Sequence, residues 1–141
     1  MKTIALLITM LISSLFAKAQ EKNTTGITIT VTIPNAKNDN GKMLLGLHSK
    51  ETFMKAKALS SASSIIKDGK VTITFNNIPE GEYAIMVLHD ENLNNRMDFE
   101  LNGMPKEAYG ISNNPMSYGP PQFEEGKFTV ANKDLDFEIR L

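Results

Sequence analysis

Between residues 27 and 33 the chain reads Ile-Thr-Ile-Thr-Val-Thr-Ile, a strict alternation of β-branched apolar residues with threonine. A period of two gathers the apolar residues on one side only if the backbone is extended, so a helix is excluded. The segment is a strand, with Ile27, Ile29, Val31 and Ile33 toward a core and the threonines toward water. Such a strand cannot stand alone. It needs sheet neighbours and a second layer over its apolar face, and the rest of the chain must supply both.

Pro34 ends the strand, and Asn38-Asp39-Asn40-Gly41 forms a turn cluster, with Gly41 suited to a positive φ, that leads into a strand over residues 42–48. Residues 49–64 read as a loop with one or two helical turns, Phe53, Met54, Ala56 and Leu59 touching the core. Ile65-Ile66, Lys67-Asp68-Gly69-Lys70 and Val71-Thr72-Ile73-Thr74-Phe75 read together as a hairpin around Asp-Gly. Residues 76–81 turn the chain again. Residues 82–89 are apolar on both faces, with Tyr83, Ile85 and Val87 on one side and Ala84, Met86 and Leu88 on the other, as in a central strand. Residues 127–130 and 135–141 resume the alternation, directing Leu135, Phe137, Ile139 and Leu141 inward. About seven short strands predict an all-β fold, an antiparallel β-sandwich of immunoglobulin-like or prealbumin-like type, with a long loop between the last central strand and the C-terminal strands. With no Cys and no Trp, an antibody-type core is excluded.

The chain of 141 residues suits one domain. Its start has a different purpose. Lys2, an apolar run over residues 4–16 and Ala17-Lys18-Ala19 follow the pattern of a secretory signal peptide cleaved after Ala19, leaving residues 20–141 as a single β-sandwich domain in the periplasm or outside the cell. The apolar run is too short to span a bilayer, which takes about 20 apolar residues, so no membrane insertion is expected after cleavage. The absence of Cys rules out a disulfide framework and a lipidated cysteine. Cleavage removes two lysines and no acid, taking the formal charge from -1 to -3. A weakly acidic chain with no basic block has no electrostatic attraction for nucleic acid, and none is expected as a partner.

The richest stretch chemically follows the central strand. Asp90, Asn92, Asn94 and Asp98 place short oxygen-bearing side chains at steps of two, two and four. A hard cation such as calcium takes about 6–8 oxygen ligands, and a loop wrapped around one presents side-chain oxygens at alternate positions with a main-chain carbonyl, here that of Arg96, between them. Calcium is therefore a candidate cofactor. Position six of an EF-hand count is Asn95 and position twelve is Leu101, so the loop is not an EF-hand. A shorter D-x-N-x-N-x-x-x-D loop, completed by Glu100 or Glu107, fits the spacing. A polar turn whose Asp and Asn satisfy their own backbone fits it too.

Residues 99–126 lack periodicity and carry Pro105, Pro115, Pro120 and Pro121. A long ordered loop in a compact domain usually has a function, so the expected ligand surface lies here and beside it: His89, Glu107, Tyr109, Asn113 and Tyr118, facing a glycan or protein ligand. Tyr109 and Tyr118 can stack on a sugar or pin the loop, and Phe123 is expected to pin it. Catalytic motifs are missing: there is no G-x-S-x-G, no H-E-x-x-H, and His48 and His89 fall on separate strands. The favoured function is a binding or structural module at the cell envelope. The alternative is a small hydrolase or lyase using His89 with Asp90 or Glu107.

Ile78-Pro79-Glu80-Gly81-Glu82-Tyr83 resembles the corner of prealbumin-like modules, including carboxypeptidase regulatory-like domains of secreted bacterial proteins. A larger set, Tyr83-Ala84, His89-Asp90-Glu91-Asn92, Asn94, Asp98, Gly103-Met104-Pro105-Lys106-Glu107, Tyr109-Gly110-Ile111-Ser112-Asn113-Asn114 and Gly119-Pro120-Pro121-Gln122-Phe123, resembles a family of small exported proteins of Bacteroidetes known as domain of unknown function 2141. The resemblance implies a secreted single domain and brings no activity. Where that family usually has Gly, this chain has Asn95, the next most tolerant residue for a left-handed turn.

Overall fold

A computed structural model describes residues 26–141; the signal-peptide expectation for residues 1–19 falls outside the described residues. The strands are β1 (Ile27–Ile33), β2 (Lys42–His48), β3 (Ser60–Ser64), β4 (Val71–Ile78), β5 (Gly81–Asp90), β6 (Tyr109–Ile111), β7 (Phe128–Val130) and β8 (Leu135–Glu138), with one helical turn, α1 (Phe123–Gly126). They form two sheets. The first has the order β4-β1-β8, the second β3-β2-β5-β6, and β7 pairs with the start of β5. Among the described residues no helix is long and apolar enough to cross a membrane.

The core lies between the sheets and is built by the alternation seen in sequence. Ile29, Val31 and Ile33 of β1 are wholly buried, facing Met43, Leu45 and Leu47 of β2 and Tyr83, Ile85 and Val87 of β5. Each such side chain contributes about 1.5–3 kcal/mol by leaving water, so this one layer supplies most of the force that holds the sheets together. The Tyr83 hydroxyl donates to the Pro79 carbonyl at 3.1 Å, fixing the corner between β4 and β5. Gly81 sits against that ring at φ 157°, where a Cβ would stand 3.2 Å from the Tyr83 hydroxyl.

Three expectations need correction. Residues 60–64 form β3, antiparallel to β2, because Ser and Ala carry no side-chain signal yet their backbone groups can pair with any exposed edge. Residues 49–59 make the expected helical turns, with Phe53 N–H donating to the Ser49 carbonyl and Ala56 N–H to the Thr52 carbonyl, but of the four residues expected at the core only Phe53 is buried, while Met54, Ala56 and Leu59 are exposed. Asp68-Gly69 does form a tight turn with both residues at positive φ, but only Lys67 and Lys70 bridge across it. The turn carries the chain from β3 in one sheet to β4 in the other, held by the Asp39 carboxylate, which accepts from the Asp68 and Gly69 amides at 2.9 and 2.8 Å. One pairing also departs from the antiparallel rule, since β8 runs parallel to β1, Ile29 opposite Leu135 and Thr32 opposite Glu138.

Candidate functional site

Strand β5 feeds directly into the 91–98 loop, and Asp90 is where the ladder ends. Its side chain is fully buried. One oxygen accepts from the Asn94 amide at 3.1 Å and the other from the Asn95 amide at 2.9 Å, so a single carboxylate folds the loop back on the strand. Next come two Asx turns: Asn92 Oδ1 accepts from the Asn94 amide and Asn94 Oδ1 from the Arg96 amide. With their oxygens spent on the backbone, both side chains aim amide N–H groups at Asp98 Oδ2, at 2.6 and 2.7 Å. The Asn92 bond is the main reason the Asp98 carboxyl lies below its ordinary value; burial opposes it, and Asn94 and Arg96 add to it. Glu107 braces the two ends of the loop, accepting from the Glu91 amide at 3.1 Å and the Asp98 amide at 3.2 Å. Asn95 takes φ 62°, the left-handed turn expected of it, and Leu93 takes the same φ without an amide side chain to ease it.

Asn92 and Asn94 thus converge as donors on one Asp98 oxygen, while Asp90 holds the backbone of the same loop. Calcium in this loop would require the two amides to turn their oxygens inward, giving up the Asx turns. Among the described residues no group of three or more His, Cys, Asp or Glu side chains converges as a metal site. His89 is wholly buried on the core side of β5, cross-strand from Met43. Its Nε2 donates to the Asn40 carbonyl at 2.9 Å, and Nδ1 is buried without a partner. The Asn113 amide holds the Glu125 and Lys127 carbonyls, which fastens α1 to the strand end.

The opposite face of β5 is a different surface. Leu44 stands opposite Leu88 and Gly46 opposite Met86; Ser63 and Tyr109 extend the first row onto β3 and β6. Near His48 this outer face is covered, since Phe53, Ala84, Ile111 and Phe123 form a second buried cluster. The Phe53 ring lies edge-on to Phe123 at 5.8 Å and to His48 at 6.0 Å. Burial pushes His48 below its ordinary value, hydrogen bonding at Thr52 opposing. Toward Lys42 the cover lifts, and a trough of about 900 Å³ opens, floored by Leu44, Met86 and Leu88 and walled by Met97, Phe99 and Met104 on one side. That wall is a small hairpin closed by the Phe99–Pro105 bridge. Tyr109 lines the trough, whereas Tyr118 is fully exposed and does not. Sequence reasoning named Tyr109 but missed the floor. The signal was there in the second apolar face of β5, which needs a cover that the chain supplies only in part.

Comparison with known families gives one match. The family described as an uncharacterized protein conserved in bacteria, DUF2141, covers residues 31–138. The chain belongs to this family. Both the Asp90 loop and the trough lie inside the DUF2141 match. No curated protein and no solved structure matches the chain.

Proposed function

We propose that this DUF2141 protein is an exported, non-catalytic binding module whose ligand lies in the trough on the outer face of the second sheet. The observation that carries the reading is an open cavity of about 900 Å³ with an apolar floor built on the two central strands. Ligand sites are concave, mostly apolar and largely preformed, and about 300–1,000 Å³ is their usual size. Strands β2 and β5 give the floor its rigidity, while the methionines of the walls adapt to a ligand's shape. A sugar needs a ring of hydrogen-bonding groups around its stacking aromatic, and Tyr109 is flanked mainly by apolar atoms, so the expected glycan gives way to an apolar ligand.

The Asp90 loop has the supporting role of setting the height of the trough's rim at Asn95 and Met97. Calcium enters as a brace for that loop. Its support is the placing of Asp90, Asn92, Asn94 and Asp98 in one loop, and its entry would turn the Asn92 and Asn94 oxygens toward Asp98 in place of their N–H groups. A hydrolase or lyase at His89 lacks an approach for substrate, because His89, Asp90 and Glu107 are all buried and each holds a backbone group.

Titration with a neutral apolar fluorophore, N-phenylnaphthylamine, tests the reading. Saturable binding with a blue-shifted emission is expected, weakened at least ~10-fold in Leu44→Asp, which sets a carboxylate on the floor at a position outside the core. Equal emission from both proteins, or none from either, overturns it.

A further inference from the structure

The trough has a chemical polarity along its length. At one end stands Lys42, the first residue of β2, whose Nζ donates to Asn95 Oδ1 at 2.6 Å. Among the described residues it has no ion-pair partner. Asp90, its cross-strand neighbour, has turned both oxygens to loop amides, and Glu91 accepts from Asn38 on the far side of the turn. Among the described residues no Asp or Glu lines the cavity, and Lys42 is its one cationic side chain. At the other end the trough is stopped. The His48 ring leans back over Gly46, so close that a Cβ at Gly46 would stand 2.8 Å from its Nε2 and 3.1 Å from Ala58. Burial keeps that imidazole below its ordinary value, so the stop is uncharged at neutral pH.

A lone ammonium with only an amide for partner, an apolar floor and an uncharged stop are complementary to a molecule with one anionic head and one straight apolar tail. We infer that the ligand is a medium-chain alkyl carboxylate, its head on Lys42 and its tail lying along β2 over Leu44 toward His48. The inference rests on the trough being the binding site. The carboxylate takes the Nζ donor capacity that Asn95 leaves unused, since an ammonium carries three N–H groups and the amide oxygen accepts one. The tail covers apolar surface that the fold leaves open to water. From Lys42 to Gly46 the floor runs about 13 Å at ~3.3 Å per residue. A zigzag chain with C–C bonds of about 1.5 Å covers that in roughly ten carbons, so decanoate is the probe to use.

The experiment displaces N-phenylnaphthylamine from the full chain with decanoate, decanol and decyltrimethylammonium, three ligands with one tail and three head charges. Decanoate is expected to displace at a concentration about 10-fold lower than decanol, the worth of one charge-assisted hydrogen bond, with the cation weakest. Lys42→Met is expected to erase the advantage of decanoate while leaving decanol unchanged, and Lys42→Arg to restore it. Circular dichroism confirms that each variant is folded. If decanoate and decanol displace equally, or if the preference survives Lys42→Met, the head-group assignment is wrong although the trough still binds. If the fluorophore never binds, the trough itself is not a site, and the inference goes with it.

Discussion

Asp90→Ala tests whether one carboxylate organises the rim. The side chain is fully buried and accepts two backbone amides, from Asn94 at 3.1 Å and Asn95 at 2.9 Å. Hydrogen bonds to a charged group are worth about 1.5–3 kcal/mol each. Both donors belong to exposed residues and recover part of that from water, so the net loss is about 2–4 kcal/mol. A domain of this size has only about 6–17 kcal/mol in total at 0.05–0.15 kcal/mol per residue. The melting temperature should therefore fall by about 8–16 °C, at roughly 4 °C per kcal/mol. The matching local readout is hydrogen exchange: the Asn94 and Asn95 amides should lose protection in the variant while β1 amides keep theirs relative to global stability. Urea unfolding supplies the free energy. A loss below about 1 kcal/mol, with both amides still protected, would refute the reasoning and transfer the organising role to Glu107.

Leu93 adopts φ 62° with its side chain 58 % exposed, a conformation that costs a non-glycine residue about 1–2 kcal/mol. Leu93→Asn should raise stability by about 0.5–1 kcal/mol in urea unfolding, since Asn visits that region with less strain. Asp98 is held below its ordinary value of 3.8, so its contribution is fully present above that value and lost as pH falls through the lower folded value. The urea midpoint of the native chain should thus drop on acidification below about pH 4, and Asp98→Asn should flatten the profile there. Millimolar calcium against EDTA decides the metal brace: a gain of about 2.7 kcal/mol is expected at 100 times the dissociation constant, abolished by Asp90→Ala with Asp98→Ala, and identical melting in both buffers removes calcium from the account.

What could be read in advance follows side-chain chemistry. Strand β1 was legible because Ile and Thr alternate without a break, and β5 because both of its faces are apolar. Strand β3 was not, since Ser60–Ser64 pairs through its backbone and Ala62 alone packs on the core. Strand β6 has only three residues, one of them Gly110, where a Cβ would stand 2.3 Å from the Arg140 carbonyl. The loop of Asp90, Asn92, Asn94 and Asp98 was found by spacing, but spacing cannot say whether amide oxygens or amide nitrogens face Asp98. Ser112 stood in the sequence only as part of the family resemblance, with no role attached. It is fully buried, and its hydroxyl accepts from the Ile85 amide while donating to the Gly126 carbonyl, which ties α1 to β5. Its one sequence signal was a serine inside the Gly-Ile-Ser-Asn-Asn run.

The parallel pairing of β1 with β8 sets the order in which this molecule can be assembled. Thr28 and Asp134, joined by a hydrogen bond at 2.8 Å, are 106 residues apart, and contacts of such separation are slow to form. A ribosome that has released β1 through β7 still holds a chain whose first sheet lacks one of its three strands, with the apolar face of β1 only partly shielded. Closure of that sheet waits until residues 135–138 have been made, because β8 has no partner in it other than β1.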